Sequence, residues 1–291
     1  MQLSDTRLGP FHLYTVDAGR FKLDGGAMFG VVPKTLWNRQ LPADEKNRIP
    51  MGLRCLLIES ENTGRLYLVD NGIGTKFNEK MSSIYQVDTQ EVDLISSLEY
   101  HGFTPDDITD LILTHLHFDH CGGTTYFNEN DGLSHTFKNA RYHITKKHWQ
   151  TATEPNAREK ASFLKDNIQP IADWPELNLV DGKHQFEDGL DTIIADGHTL
   201  GQQLPKIDAE GKTIIFAADL LPTQHHLSLP WVMGYDMRPV KTLSEKETFL
   251  NNAAVGGWYL FLEHDAESEM MQVTKKDGRF KCKRTLSLSD I

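Results

Sequence analysis

The sequence predicts an α/β fold, in which short buried strands alternate with helices. Apolar runs of about four to eight residues recur along the 291-residue chain, and helical apolar patterns lie between some of them. Histidine and aspartate residues stand directly after several runs, as expected for ligand-binding residues at the carboxyl ends of strands. Hydrophobic residues make up 39% of the chain, which is enough for a sizeable core.

A single domain is expected over residues 1–291, because no low-complexity or Pro/Ser-rich linker divides the chain. Two related halves are predicted at about residues 1–145 and 175–291. The segment 146–169 between them has a helical pattern and is expected to border the pocket.

The first half has strand patterns at residues 11–16, 53–60 and 65–69. A helix is predicted over 90–101, with Thr89 as its N-cap and Gly102 at its end. A buried strand at 111–114 should then deliver the loop that follows it to an edge of the sheet.

The second half repeats this arrangement. Strands are predicted at 141–144, 192–195, 203–207, 213–217 and 258–262, with shorter strand-like runs at 270–274 and 279–282. A helix is predicted over 244–254.

The most informative motif is His115-Leu116-His117-Phe118-Asp119-His120, which places four metal-binding side chains within six residues. One ion cannot easily bind all four from so short a loop, because each ligand atom must lie about 2.0–2.2 Å from the metal. The spacing therefore favours two adjacent ions, with His115 and His117 on one and Asp119 and His120 on the other. A purification tag would be terminal and nearly pure histidine, which this segment is not.

Three further candidate ligands follow predicted strands later in the chain. They are His198 in DGHTLGQ, Asp219 in IIFAADLLP and His264 in YLFLEHD. A single histidine is more often structural than a ligand, but seven such residues in this order favour a metal centre.

With these motifs the sequence resembles the hydrolases of the metallo-β-lactamase superfamily over nearly its whole length. The resemblance implies an αββα sandwich, in which two mixed sheets flanked by helices hold the site between them. It implies that His115, His117 and His198 bind the first ion, that Asp119, His120 and His264 bind the second, and that Asp219 bridges them. Asp70, in LYLVDNG, matches an aspartate that orients ligands without binding metal.

The segment 24–37 (DGGAMFGVVPKTLW), together with THLHFDH and ADLLPT, resembles the branch that contains quorum-quenching N-acyl-homoserine lactone lactonases. Two positions depart from patterns common among relatives. Leu200 and Gln202 replace the Pro and the second His of G-H-T-P-G-H, and Pro222 stands where some lactonases carry a substrate-contacting Tyr. The metal-binding positions are unchanged.

Imidazole and carboxylate ligands suit zinc, with manganese or iron as alternatives, and we expect two divalent ions. A hydroxide held between two such ions is a nucleophile at neutral pH, because metal binding lowers the pKa of water to about 7. Asp119 is the predicted catalytic residue, since its free oxygen can accept a proton and pass it to the leaving group. The predicted reaction is the opening of N-acyl-homoserine lactones or related cyclic esters.

Apolar residues around the predicted ligand loops could enclose an acyl chain. The pocket residues predicted on this basis, with a histidine that could contact the substrate in place of the missing Tyr, are Met28, Phe29, Val32, Trp37, Phe118, Leu221, His225, Trp231 and Met233.

Composition limits the other functions. The net charge of −11 argues against a nucleic-acid surface, and no run approaches the 18 apolar residues of a membrane span. No signal peptide is visible, and three cysteines without zinc-site or disulfide spacing indicate reduced thiols, so a cytoplasmic protein is expected, with a homodimer possible.

Three alternatives remain open at the level of sequence. The same nucleophile could hydrolyse phosphotriesters or aryl esters in a different pocket. A mononuclear iron dioxygenase branch shares the H-x-H-x-D-H motif. A scaffold protein of the same fold would usually have lost ligands, whereas all seven are present here.

Overall fold

The computed structural model describes residues 3–291, which form sixteen strands and eight α-helices. The strands are β1 Asp5–Leu8, β2 Phe11–Asp24, β3 Arg48–Ser60, β4 Leu66–Val69, β5 Asp110–Ile112, β6 Thr125–Phe127, β7 Leu133–His135, β8 Arg141–Thr145, β9 Leu177–Val180, β10 Gln185–Glu187, β11 Leu190–Ala195, β12 Gln202–Ala209, β13 Lys212–Phe216, β14 Tyr259–Phe261, β15 Met270–Lys276 and β16 Arg279–Leu286. The helices are α1 Gly25–Phe29, α2 Lys34–Trp37, α3 Glu79–Tyr85, α4 Leu94–Tyr100, α5 Phe118–Cys121, α6 Lys146–Thr153, α7 Lys165–Ala172 and α8 Pro239–Gly256.

Two seven-stranded mixed sheets form the framework, which confirms the predicted αββα class. The first sheet has the order β1-β2-β3-β4-β5-β8-β9, and the second has the order β10-β11-β12-β13-β14-β15-β16. Strands β4, β5, β8 and β9 run parallel, as do β13 and β14, while the other neighbours are antiparallel. Strands β6 and β7 form a separate hairpin.

Alternation along β3 shows how the layers pack. Leu56 and Ile58 join a core cluster shared with residues of the second sheet, such as Leu204 and Phe216. Leu57, between them, belongs to the cluster on the other face, with α4 residue Leu98. Successive side chains of a strand point to opposite faces, so one strand fills both cores.

Several predicted boundaries differ from the structure. The helix predicted over 90–101 begins at Leu94, because the Asp93 side chain accepts the Ser96 N–H and Ser96 bonds back to the Asp93 N–H. Thr89 is therefore not its N-cap. The helix predicted over 244–254 begins five residues earlier, since Pro239 occupies its first turn, where backbone N–H groups have no acceptor within the helix and proline, which lacks one, is favoured.

The ends of the two sheets are tied together where the predicted ligand loops begin. The Gln203 backbone N–H donates to the Thr114 carbonyl at 3.0 Å, and its side-chain amide donates to the Leu113 and His143 carbonyls, both at 2.9 Å. Residues 3–291 contain no helix that is long and apolar enough to cross a membrane.

Candidate metal centre

The seven predicted ligands converge from both sheets. His115, His117, Asp119 and His120 lie on the turn after β5 and on α5, while His198, Asp219 and His264 follow β11, β13 and β14. All seven are buried. Their ligand atoms fall into two groups, one of His115, His117, His198 and Asp219 and one of Asp119, His120 and His264, while a third group joins His120 to Asp70 and Glu263. Within each group the ligand atoms lie within 4.8 Å of one another.

Asp219 lies between the two groups. Its Oδ2 is 3.0 Å from His198 Nε2 and 3.6 Å from His120 Nε2, and its Oδ1 is 3.4 Å from His264 Nε2. Burial opposes ionisation of Asp219, but the imidazoles of His198, His120 and His264 hold the pKa of its carboxyl group well below the usual range. A buried carboxylate with both oxygens facing imidazoles has the geometry needed to contact two ions.

Each of the five histidines has a hydrogen-bond acceptor behind its ring. These pairs are His115 Nδ1 with Thr114 Oγ1 at 3.0 Å, His117 Nε2 with Glu159 Oε1 at 3.3 Å, His198 Nδ1 with Asp236 Oδ1 at 3.0 Å, His120 Nδ1 with Asp70 Oδ2 at 3.1 Å, and His264 Nδ1 with Gly52 O at 2.9 Å. The Glu263 carboxyl group also lies 3.0 Å from His120 Nδ1, without hydrogen-bond geometry. With its outer nitrogen donating to such an acceptor, each ring can present the lone pair of its inner nitrogen to a cation at the centre. Such outer partners fix the tautomer and orientation of metal-binding histidines.

The inward-facing nitrogens lie close together. His117 Nδ1 is 3.1 Å from His115 Nε2 and 3.2 Å from His198 Nε2, and His120 Nε2 is 3.1 Å from His264 Nε2. Lone pairs at such distances repel unless a cation lies between them. Ligand atoms about 2.1 Å from a tetrahedral zinc are about 3.4 Å from one another, so the donor set fits two cations.

The pKa values of the histidines also show where the centre favours positive charge. Burial disfavours a charged His198, yet Asp219 and Asp236 raise its pKa to about 10. His115 faces mainly other imidazoles, and burial together with His120 and His117 lowers its pKa well below the usual value. The carboxylates therefore attract positive charge to His198, and a cation bound at the centre would take the place of the proton on its inner nitrogen.

Buried side chains outside the motif fix the loops in place. Asp70, at the end of β4, accepts the Thr114 N–H at 2.7 Å and its hydroxyl at 2.6 Å, in addition to facing His120. His148, on α6, accepts the Leu116 N–H at 2.7 Å and donates to the Leu200 carbonyl at 2.9 Å. Burial lowers the pKa of His148 to about 3, so the neutral ring joins the two ligand loops across a wide pH range.

A cavity of about 330 Å³ opens onto this centre. Its acidic and histidine wall consists of His117, Asp119, Glu159, His198, Asp219 and His264, and its other walls include Leu23, Met28, Tyr85, Phe118, Arg158, Ser162, Met233, Tyr235 and Met237. A second cavity, of about 460 Å³, is lined by residues such as Asn71, Leu94 and Tyr126 and by none of the seven predicted ligands. The smaller cavity is therefore the candidate active site.

Of the predicted pocket residues, Met28, Phe118 and Met233 line this cavity. The others pack elsewhere. Phe29 stacks on Trp37 with ring centroids 5.3 Å apart, and the Trp231 ring meets Phe29 edge-on at 5.6 Å. Adjacent side chains of a helix point about 100° apart. Met28 on α1 therefore lines the cavity, while Phe29 packs in the core.

Val32 and Leu221 also belong to buried core clusters, and His225 is half-buried beside Thr223, whose hydroxyl accepts its backbone N–H at 3.2 Å. Neither these residues nor His226, which is buried and bonds to the Met28 carbonyl at 2.9 Å, line the cavity. Cys121 is buried, its Sγ donates to the Leu116 carbonyl, and it belongs to neither ligand group.

Sequence reasoning missed Glu159, Asp236 and Glu263, the carboxylates behind three of the histidines. Glu263 directly precedes His264 and could have been noticed, although its contact is with His120. Glu159 and Asp236 lie 42 and 38 residues from their partners and have no local signal.

Comparison of the sequence with known proteins identifies a superfamily and several relatives. The profile of the Metallo-beta-lactamase superfamily matches residues 51–264. An N-acyl homoserine lactonase from Bacillus cereus is 25% identical over 273 residues, which cover 88% of this chain and 94% of the relative.

Two solved structures have the same fold. A probable metal-dependent hydrolase from Staphylococcus aureus has a TM-score of 0.85 and 28% identity, with 97% of this chain and all of that chain covered. AidC, a dizinc quorum-quenching lactonase in complex with a product, has a TM-score of 0.77 and 22% identity, with 98% and 97% covered.

Proposed function

The chain belongs to the metallo-beta-lactamase superfamily, and from this premise we propose that it is a dinuclear metal-dependent hydrolase that opens N-acyl-homoserine lactones or closely related lactones. One observation carries the hydrolase proposal: two groups of inward-facing lone pairs share the carboxylate of Asp219 at the floor of a cavity. The lactone substrate is proposed from the printed function of the Bacillus cereus relative and from the shape of the cavity.

In this proposal, His115, His117 and His198 hold one ion, Asp119, His120 and His264 hold the other, and Asp219 contacts both. Zinc is the preferred metal because the ligands are imidazoles and carboxylates, which also suit manganese and iron. When bound, such ions lower the pKa of a coordinated water to about 7 and polarise a substrate carbonyl. The protein supplies the orientation of the ligands, through the acceptors behind each ring.

Asp119 is the proposed proton carrier. Its carboxylate lines the cavity, and its oxygens are no closer than 3.9 Å to His120 Nε2 and 3.8 Å to His264 Nε2, so one oxygen can stay free while the other binds metal. A carboxylate placed there can take the proton of the attacking water and return it to the leaving alkoxide of an opened ring.

The cavity walls suit an ester with an apolar tail. Leu23, Met28, Phe118, Met233 and Met237 form apolar surface next to the acidic floor. Methionine side chains adapt to chains of different shape, because they are unbranched and flexible. A ring ester can therefore lie over the carboxylates while its acyl chain lies along these residues.

The test begins with elemental analysis of protein purified without chelator, where two metal equivalents per chain are expected. Acid release is then followed with a pH indicator on N-acyl-homoserine lactones of four to twelve acyl carbons, beside a nitrophenyl phosphotriester. Each enclosed methylene contributes at most about 0.8 kcal/mol, so two more carbons should raise kcat/KM by about tenfold.

Each other outcome has a definite meaning. If the fully metallated protein opens none of the lactones but cleaves the phosphotriester, the protein is a phosphotriesterase and the lactonase proposal is wrong. A single iron per chain, with oxygen consumption on a persulfide, would indicate the dioxygenase. If lactones are opened at rates that do not depend on acyl length, the proposed reaction stands but the proposed binding of the acyl chain in the cavity is wrong.

A further inference from the structure

Residues 233–238 form a wall of the cavity that is held at several points. The Gly234 N–H donates to the Ala27 carbonyl at 2.8 Å, and the Arg158 guanidinium donates to the Gly234 carbonyl. The Met237 N–H donates to the His198 carbonyl at 2.9 Å. Tyr235 therefore stands on a backbone that is fixed relative to a proposed metal ligand.

The same segment orients that ligand through a side chain. Asp236, next to Tyr235, accepts from His198 Nδ1 at 3.0 Å, and its backbone carbonyl receives a second contact from Arg158 at 3.5 Å. A glycine is needed where the segment meets the α1 region, because a side chain at Gly30, with φ of +55°, would collide with the Val232 carbonyl. The backbone position of Tyr235 in the cavity wall is thus set by the same segment that sets the direction of His198.

The Tyr235 side chain lines the cavity and is 38% exposed, and its hydroxyl has no hydrogen-bond partner among residues 3–291. Burial, Tyr85 and Asp119 raise the pKa of the Tyr235 phenol above its usual value. The hydroxyl therefore stays protonated at neutral pH and has a proton to donate to a molecule in the cavity.

Other lining residues of the cavity supply acceptors. Asp119, Glu159 and Asp219 are carboxylates, and Nη2 of Arg158 donates to the carbonyls of Gly234 and Asp236. An acylated lactone brings two carbonyl groups into this space. In the proposed reaction the ring carbonyl would face the residues that hold the metals, and the exocyclic amide oxygen would lose its water on entry and need a donor from the wall.

The other phenol on the wall is less suited to this role. The ring of Tyr85 packs against Phe118, with centroids 5.0 Å apart, and against Phe77 at 5.6 Å. It stands on α3, which contributes no proposed metal ligand or histidine partner. The fixed wall segment therefore favours Tyr235.

We propose that Tyr235 donates a hydrogen bond to the exocyclic amide oxygen of an acylated lactone and so selects acylated lactones over plain alkyl lactones. This inference rests on the proposed lactonase function. It makes Tyr235 a specificity-determining residue, because a plain lactone has the ring ester but no amide for the phenol to contact.

The test compares Tyr235→Phe with the natural protein on two substrates of similar length, N-hexanoyl-homoserine lactone and γ-decalactone. Loss of one hydrogen bond that leaves a buried acceptor unpaired should lower kcat/KM for the acylated lactone by about tenfold. The loss should appear mainly as a higher KM, because the amide is bound equally in the ground state and the transition state. The rate on γ-decalactone should not change.

Tyr100→Phe is the matched control, since Tyr100 is 69% exposed on α4 and does not line the cavity. If γ-decalactone is not opened, its inhibition constant against the acylated lactone replaces kcat/KM in the comparison. Equal losses on both substrates, or no loss on either, would overturn the role of Tyr235. Failure of the fully metallated natural protein on both lactones would instead overturn the proposed lactonase function.

Discussion

Single residues determine which atoms of the centre can bind metal. Each histidine is held by an acceptor on its outer side, and three of these acceptors, Asp70, Glu159 and Asp236, are carboxylates that lie 38 to 50 residues from their histidines. A carboxylate behind an imidazole increases its basicity and fixes its orientation. The affinity of the centre therefore depends on residues that bind no metal themselves.

Asp236→Ala tests this dependence. The variant removes the acceptor 3.0 Å from His198 Nδ1, so His198 can turn or change tautomer. We expect the affinity of the first proposed metal position to fall about 10- to 100-fold, with the second position less affected. Titration with a competing chelator measures both. Unchanged affinity at both positions would contradict the assigned role of Asp236.

Asp219→Ala should have a different effect, because Asp219 faces both ligand groups. Loss of this carboxylate leaves three lone pairs in one group and two nitrogens with Asp119 in the other. We expect reduced occupancy of both metals and loss of turnover. Elemental analysis and the lactone assay check this, and retention of two equivalents with a near-normal rate would refute the shared position.

The sequence could predict the seven candidate ligands because four of them are contiguous and three follow apolar runs. It could not predict the pocket equally well. Met28 and Phe29 are neighbours of similar polarity, and only the rotation of α1 decides that Met28 lines the cavity while Phe29 stacks on Trp37. Tyr85 and Tyr235 come from distant segments that only the folded chain brings together.

At the scale of elements, periodicity identified most of the strands but few of their ends. Strand β2 extends to Asp24, well beyond the predicted end at residue 16, because β3 continues to pair with it past an irregularity between Asp17 and Arg20. Helix α4 begins where a capping box forms, which is a local signal that apolar spacing does not contain.

The turn after β4 packs directly on the segment that follows His120. Gly74 has φ of +67°, and a methyl group added there would overlap the Gly122 carbonyl. Gly64 has nearly the same φ, +68°, but nothing lies within 4 Å of the added atom. The two positions therefore separate the cost of the backbone conformation from the cost of the collision.

Gly64→Ala should lower the free energy of unfolding by about 1–2 kcal/mol through the left-handed backbone alone. Gly74→Ala should lower it by a further ~1–3 kcal/mol, because the collision forces the segment near His120 to move. Urea unfolding of both variants gives the difference. Equal losses would mean that the two turns can separate freely.

Helix α8 is tied through a buried lysine to the segment that precedes the cavity wall. Lys246 Nζ donates to the carbonyls of Ser228 at 2.9 Å and Trp231 at 2.7 Å, and burial lowers its pKa to about 7. Above this pH the folded protein releases a proton that the unfolded chain still holds. The contribution of Lys246 to stability should therefore rise between about pH 7 and pH 10.

Lys246→Met should remove that rise. We expect the natural protein to gain stability relative to the variant with increasing pH, by at most about 1.4 kcal/mol per pH unit over this range. Urea unfolding at several pH values measures the difference, and Lys241→Met, which removes an exposed lysine of the same helix, is the control. A difference that falls as pH rises would show that the ammonium form is favoured in the folded protein.

At the scale of the whole molecule, the centre joins the two sheets. Four proposed ligands follow β5 of the first sheet, and three follow strands of the second. Gln203 and the His148 ring also link these loops, so the site lies where the halves are most closely tied. A metal bound there contacts groups that come together only when both sheets are in place.

Metal removal should therefore destabilise the entire fold and not only the site. An ion that binds the folded chain at a thousand times its Kd adds about 4 kcal/mol to the free energy of unfolding. For a chain of this size that corresponds to a fall in Tm of about 10 °C on chelation, together with loss of turnover. Both should return when zinc is added back. Asp219→Ala provides the control, because a chain that does not bind the ions has no metal-dependent stability for the chelator to remove. Its Tm should respond weakly to chelator, and a natural protein whose Tm is equally indifferent would mean that bound metal does not join the two sheets.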